Sequence, residues 1–481
     1  MNKLLELKDN LKVITKKIKI EDILCIFIVL CPILDMISFL FRNAFNTNFS
    51  PSTVLRPLIP AAIILYLFFK KDKKFKLHIF ITGTVYALYA VIHLFLFTKV
   101  KTEFSYSNEI HEIQYLVNYS FMILNLFLYT DIFKQNNVEK LQKSIIIATG
   151  IYISSIFIAI FTGTSSNTYL EEKIGYKGWF ESGNSISSIL LLTMFIYLPY
   201  VKNKKYRKII IPIVILVGIF LSLLIGTRAG LFGFSLIIVL YIFIEVLFNI
   251  VKKNKINKKT VFIGVGTLLT ISLIVIVFGS NTIQRRKHLA DIESNIIDEN
   301  QQENSHITGD LLAIKEKIEK NELENNYMSE EQKKSVIDLY NIANRLNVKN
   351  NDQRTQQLIY NIALVKNQKN IFLILFGNGY MANFRELVFE MEVPAILLNF
   401  GILGFILYLG PFIVILIKGL YIGIKKRKMI NDEYVFLLLG CGFSFALSFF
   451  SGYTFFNSST MMVIIVLNTV LYTIGNSKKL F

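Results

Sequence analysis

The sequence predicts an all-α, polytopic integral membrane protein of about twelve transmembrane helices with one large helical extracytoplasmic loop. Three observations predict it. Of 481 residues, 53% are hydrophobic and only 18% charged, with a mean hydropathy of +0.49; soluble domains carry about 25% charge. The apolar residues are gathered into runs near the ~20 residues that a spanning helix needs. Basic clusters alternate with these runs, a pattern that orients membrane helices with their lysine-rich side in the cytoplasm.

The runs fall at 21–41, 54–69, 77–98, 111–130, 144–162, 183–201, 209–226, 229–250, 260–279, 393–420, 434–450 and 458–475. A basic leader, 1–20, precedes the first, and no small-residue cleavage site follows Phe41, so this run is expected to be retained. One side of the membrane receives the leader, KKDKKFK at 70–76, KNKKYRK at 202–208, KKNKINKK at 252–259 and KKRK at 425–428. The other side receives only Arg42, Lys99, Lys101, Lys173, Lys177 and Arg228 in its short connections. Nine spans over 21–279, three over 393–475 and a short tail, 476–481, put both termini in the cytoplasm of a bacterial plasma membrane. The net charge of +18 is then a topology signal, with lysines at the lipid headgroups, and nucleic acid is not an expected partner. Cys25, Cys31 and Cys441 all lie in apolar runs, which argues against a disulfide framework and against structural zinc.

Residues 280–392 form the outer loop, and they read as folded. Ser329 followed by Gln332 is a capping-box pattern ahead of a helix to about Leu346. Leu311, Ile314 and Ile318 have the spacing of an earlier amphipathic helix. A third helix is expected from about Asp352 to Lys366 or beyond. IFLILFGNGYM, 371–381, is apolar but too short to span, which fits a re-entrant or interfacial helix ending at Gly377-Asn378-Gly379.

No nucleotide-binding, serine-hydrolase or zinc-protease motif is present, so neither a cofactor nor a metal is expected. The informative positions are ionisable residues at the outer ends of spans, where burial is expensive and function common. Arg228 stands between two spans in IGTRAGLFGF, flanked by Gly226 and Gly230. It reads equally as a snorkelling side chain or as a fork for phosphate oxygens. Arg354 opens the last loop helix, where a surface role is the plain alternative. Arg56, one turn into the second span, has three readings: snorkelling, pairing with Asp35, or lining a cavity. His93 reads as a packing or hydrogen-bonding residue within its span. Glu181 and Asn184 lie at the mouth of the sixth span. Glu390 and Glu392 lie at the mouth of the tenth, where partial desolvation suits a general base and a helix N-terminus also favours plain acids. Tyr453, in SGYTFFNSST, reads either as a sugar-stacking ring or as part of an interfacial aromatic belt.

Together these pieces resemble the O-antigen ligase-like and O-antigen polymerase superfamily of bacterial membrane glycosyltransferases. The resemblance rests on the ordered set GYKGWFESGNSISSILL, IGTRAGLFGF, the arginine of DQRTQQ, FGNGY, EMEVPAILLNFGILGF and SGYTFFNSST, spread over 175–460. The first 150 residues agree in topology alone. The resemblance implies a GT-C-like fold and a glycan donor on an undecaprenyl diphosphate carrier, with transfer to a hydroxyl of a glycan acceptor. It implies Arg228 and Arg354 as a diphosphate clamp that needs no metal, Glu181 and Asn184 as sugar-binding residues, and a chain-length regulator as a possible further partner. Many ligases of the superfamily have a His-Asn pair where this chain has FEMEVP, and no histidine follows His306. A carboxylate base is the expected substitute, with Glu392 first and Glu390 second. The expected activity is polymerisation of lipid-linked repeat units into surface polysaccharide. The rivals are ligation of finished polymer to a wall or lipid acceptor and, from another class, a lipid-linked oligosaccharide flippase.

Overall fold

The computed structural model describes residues 19–45, 50–102, 108–169, 173–202, 204–251, 309–323, 328–348, 352–380, 382, 387, 389–426, 430–450 and 452–477. The expected ninth span, 260–279, and most of the basic leader lie outside them. Among the described residues, ten helices are long and apolar enough to cross a membrane. They are α1 (Ile20–Phe45), α2 (Pro51–Lys70), α3 (Lys73–Val100), α5 (Val138–Phe161), α6 (Gly183–Lys202), α7 (Arg207–Ile225), α8 (Arg228–Val251), α14 (Gly401–Lys425), α15 (Asp432–Phe450) and α16 (Ser458–Ser477). The expected fourth run forms α4 (Glu109–Ile132). Gln114, Asn118 and Asn125 make it less apolar than the ten, and it packs along α16.

Two helices form the centre. α6 packs against α5, α7, α8, α15 and α16, and α16 also packs against α4 and α5. Leu191, Leu192, Phe195 and Ile196 of α6, and Ile464 to Leu467 of α16, are fully buried. The peripheral helices instead turn large apolar side chains outward, such as Phe69, Phe80, Val91, Phe95 and Ile424. In water such surfaces would drive association; in a bilayer they face lipid.

Short connections make neighbouring helices antiparallel, so helix ends gather in two sets. The lysine-rich end is stitched by Lys71–Asp131 at 2.9 Å, Lys140–Asp22 at 2.8 Å, Lys204–Glu139 at 2.7 Å and a Lys202–Asp432 pair. The opposite end carries a two-stranded antiparallel hairpin, β1 (Ser166–Tyr169) and β2 (Ile174–Gly178), an element that the sequence reading did not anticipate. It also carries the loop helices α9 (Gly309–Glu319), α10 (Glu330–Arg345), α11 (Gln353–Gln368) and α12 (Ile371–Phe376). Ser329 and Gln332 form the expected capping box on α10, and Asp352 caps α11 through the Thr355 amide. Val336, Leu339, Tyr360 and Leu364 give this layer its own apolar core. The tenth span is broken at Phe400 into α13 (Glu392–Asn399) and α14, which opens on Gly401 at φ +71°.

The FGNGY segment docks onto the bundle as α12 ends. His93 donates from Nδ1 to the Phe376 carbonyl at 2.7 Å, and its Nε2 lies 2.8 Å from Glu112 Oε1. The Tyr380 amide donates to the same carboxylate oxygen at 3.2 Å. A Cβ on Gly379 would lie 2.2 Å from the Phe97 ring, so the close approach requires glycine. His93 is thus a buried hydrogen-bonding residue.

Arg56 is 2% exposed and pairs with Asp35 at 2.7 Å. Asp35 also accepts from the hydroxyls of Tyr152 and of Ser459, the latter at 2.6 Å, while Arg56 donates to Ser458. One ion pair therefore ties α1, α2, α5 and α16 together. Removing only one partner of such a pair strands a buried charge, at a cost of about 3–5 kcal/mol. Asp35→Ala should lower the melting temperature of purified protein sharply, and Asp35→Ala with Arg56→Met should recover most of the loss. An unchanged melting temperature for the single variant would rule out this network as a major stabiliser.

Candidate active site

At the non-lysine end, the start of α8 is built for a close, cationic turn. Gly226 ends α7 with φ +75°, and the Thr227 hydroxyl caps α8 through the Gly230 amide at 3.1 Å. Thr227 and Ser187 share a hydroxyl–hydroxyl bond at 2.6 Å. A Cβ on Gly230 would lie 2.7 Å from the Thr227 hydroxyl, and one on Gly233 would lie 2.7 Å from Leu191. These glycines let α8 press onto α6, and Arg228, the first residue of the helix, is left exposed. Among the described residues it has no hydrogen-bond or ion-pair partner. Arg228 faces a cleft of about 1190 Å³.

The cleft collects residues that are far apart in sequence. Arg228, Arg354, Glu390, Asn184 and Tyr453 all line it. Arg354 donates from Nε to Glu390 Oε2 at 3.0 Å and from its guanidinium to the Phe450 carbonyl. This bond joins the loop helix α11 to the segment ahead of α13. The other wall is apolar, from Phe232 and Leu236 of α8 and Phe443, Leu447 and Phe450 of α15. Cations at the mouth and a hydrocarbon wall below suit an amphiphile with an anionic head.

Glu392 sits elsewhere. It is fully buried and does not line the cleft. Its two carboxylate oxygens accept from the backbone amides of Thr454, Phe455 and Phe456 at 2.7, 2.6 and 2.9 Å. The geometry is that of the ionised acid, which accepts at both oxygens. The turn above it is wound tightly, with Gly452 at φ +69° and Tyr453 at φ +56°. A Cβ on Gly452 would lie 2.4 Å from the Glu390 carbonyl oxygen. Successive amides converging on a carboxylate make an anion nest. Glu392 thereby holds the turn that carries Tyr453, and of the two glutamates it is Glu390 that lines the cleft.

Glu181 and Arg56 line a second, smaller cavity of about 160 Å³ beside the cleft. Glu181 pairs with Arg42 at 2.9 Å. Burial raises its carboxyl above the ordinary value, and Arg42 pulls it back. Arg56 thus both pairs with Asp35 and lines a cavity. Sequence reasoning missed Tyr169 of β1, Gln353 of α11 and its cap Asp352 as groups that also line the cleft. Tyr169 lies in what reads as a featureless connection, and nothing in its local pattern marks it.

The model of the family described as O-antigen ligase like membrane protein matches residues 17–475. No curated protein matches the chain.

Proposed function

Because the chain belongs to the O-antigen ligase-like membrane protein family, we propose that it is a membrane glycosyltransferase that polymerises lipid-diphosphate-linked repeat units into surface polysaccharide. The observation that carries this reading is the cleft itself. Two arginines from separate elements, Arg228 and Arg354, share it with a carboxylate, Glu390, and with an apolar wall from α8 and α15. The donor is a glycan on undecaprenyl diphosphate, with its diphosphate against the arginines and its isoprenoid along Phe232, Leu236 and Leu447. The lysine-rich end faces the cytoplasm by the positive-inside rule, so the cleft opens on the outer face of the plasma membrane.

In the proposed step an acceptor hydroxyl attacks the anomeric carbon of the donor glycan. The bond from that carbon to the diphosphate oxygen breaks, and the lipid diphosphate leaves with the bonding electrons. The hydroxyl proton passes to Glu390, whose Oε2 is bonded to Arg354 and whose Oε1 is left to receive it. Guanidinium forks match phosphate oxygens in pairs and stay charged throughout. They thus offset the charge that grows on the leaving group, which is where preorganised electrostatics contribute most. Asn184 and Tyr453 hold sugar: an amide serves hydroxyls as donor and acceptor, and an aromatic ring packs on the apolar face of a pyranose.

The size of the lipid-linked glycan in a deletion strain tests this reading. Single repeat units accumulating on the carrier are expected. Long polymer still attached to the diphosphate carrier would instead make the protein a ligase of finished chains, and a normal glycan profile would remove both.

A further inference from the structure

The smaller cavity has a character of its own. It lies at the N-terminal ends of α2, α6 and α16 and is enclosed mainly by polar side chains. Ser185, 4% exposed, lines it, and among the described residues its hydroxyl has no hydrogen-bond partner; the same holds for the Nε of buried Arg56. Buried polar groups are ordinarily satisfied, and an orphaned donor in a polar cavity points to something that fills it. The helix ends themselves are largely capped. Ser182 accepts from the Ser185 amide at 3.3 Å, and Asn457 accepts from the amides of Ser459 and Thr460 at 3.0 and 3.1 Å. What remains for a ligand is side-chain chemistry.

That chemistry is balanced in charge. Arg56 faces Asp35, and Arg42 faces Glu181. Two cations and two carboxylates offer donors and acceptors side by side with no net charge, and serines add groups that are both. Phe180 and Phe456 supply apolar faces on the same wall. A phosphate would meet two carboxylates here. A neutral ligand dense in hydroxyls would meet donors and acceptors side by side. About 160 Å³ is room for on the order of five waters at ~30 Å³ each, or for one sugar ring in their place.

The cavity and the cleft share a wall. At the start of α6, Asn184 faces the cleft while Ser182 and Ser185 face the cavity. In the turn before α16, Tyr453 faces the cleft while Phe456 and Asn457 face the cavity. We propose that this cavity is a carbohydrate subsite that seats one neutral sugar residue of the acceptor glycan beside the diphosphate cleft. The proposal rests on the glycosyltransferase reading above and extends it: the acceptor is gripped away from the reacting hydroxyl, so that successive repeat units are presented in one register.

The test uses full-length protein in lipid nanodiscs and two probes. One is undecaprenyl diphosphate. The other is the free oligosaccharide released by mild acid from lipid-linked glycan of cells producing the Arg228→Ala variant. Ser185→Phe fills the cavity without touching the cleft. It should weaken oligosaccharide binding at least tenfold and leave diphosphate binding unchanged. Arg42→Ala, at the part-exposed rim, should weaken it as well and serves should Ser185→Phe fail to assemble. Undiminished oligosaccharide binding by the variant that assembles, in protein that still binds diphosphate, overturns the subsite and leaves the cleft standing. Failure of the wild-type protein to bind diphosphate at all overturns the reading of the cleft, and the subsite proposal with it.

Discussion

Replacing Arg228 with alanine should abolish polymer while leaving the protein in the membrane at its normal level. The side chain is exposed in the cleft and has no partner among the described residues, so its removal strands no buried group. Gly226, the Thr227 cap and Gly230 still shape the turn. What is lost is the cation that the proposed step sets against a leaving diphosphate. By analogy with removal of one oxyanion-hole donor, the loss is about 2.7–4 kcal/mol of transition-state stabilisation, or about 10²–10³ in rate. Arg228→Lys keeps the charge and loses the planar fork, so it should fall between the two. Gel analysis of polymer, with expression measured alongside, checks this. Polymer of normal amount and length from a normally expressed alanine variant would remove Arg228 from the clamp.

The two glutamates should separate by the kind of damage that each substitution does. Glu390→Gln keeps the shape at the cleft and can still accept from Arg354, but it can no longer take a proton. Transfer should fall about 10²–10⁴-fold, the range for general base catalysis, with diphosphate binding retained. Glu392→Gln replaces one of the two acceptor oxygens with an NH₂, which meets the Phe455 amide when the remaining oxygen keeps those of Thr454 and Phe456. Each buried group left unmatched costs about 1–3 kcal/mol, so the melting temperature should fall, and activity with it. Paired measurements of melting temperature and transfer decide between the roles. Lost transfer at wild-type thermal stability in Glu392→Gln would restore that residue as the base. Wild-type behaviour of both variants would take the carboxylates out of the mechanism.

Much of this architecture is legible in the sequence because the bilayer imposes a strong pattern. Runs of about 20 apolar residues and the alternation of lysine clusters give the helices and the two ends of the bundle. The loop helices are legible through caps: Ser329 with Gln332, and Asp352 ahead of Gln353. Arg228, Arg354, Glu390, Asn184 and Tyr453 are marked by chemistry alone, as polar residues at span ends, and they line one cleft. The roles of Glu390 and Glu392 are not legible, because two residues separate burial under a turn from exposure to the cleft. That difference depends on amides of residues 454–456, more than sixty positions away. The partner of Arg56 is foreseeable as Asp35. The cavity around them is not, because it is assembled from α1, α2, α4, α6 and α16. The hairpin that carries Tyr169 lacks the glycine-asparagine turn or the strict alternation that marks strands from sequence.

Saturable binding of undecaprenyl diphosphate to the protein in nanodiscs is the measurement to make. Binding by the wild type, weakened at least tenfold by Arg228→Ala and by Arg354→Ala, with undecaprenyl monophosphate bound less tightly, is the result expected of a two-arginine diphosphate cleft. Equal binding of mono- and diphosphate lipids, unaffected by either substitution, would contradict it.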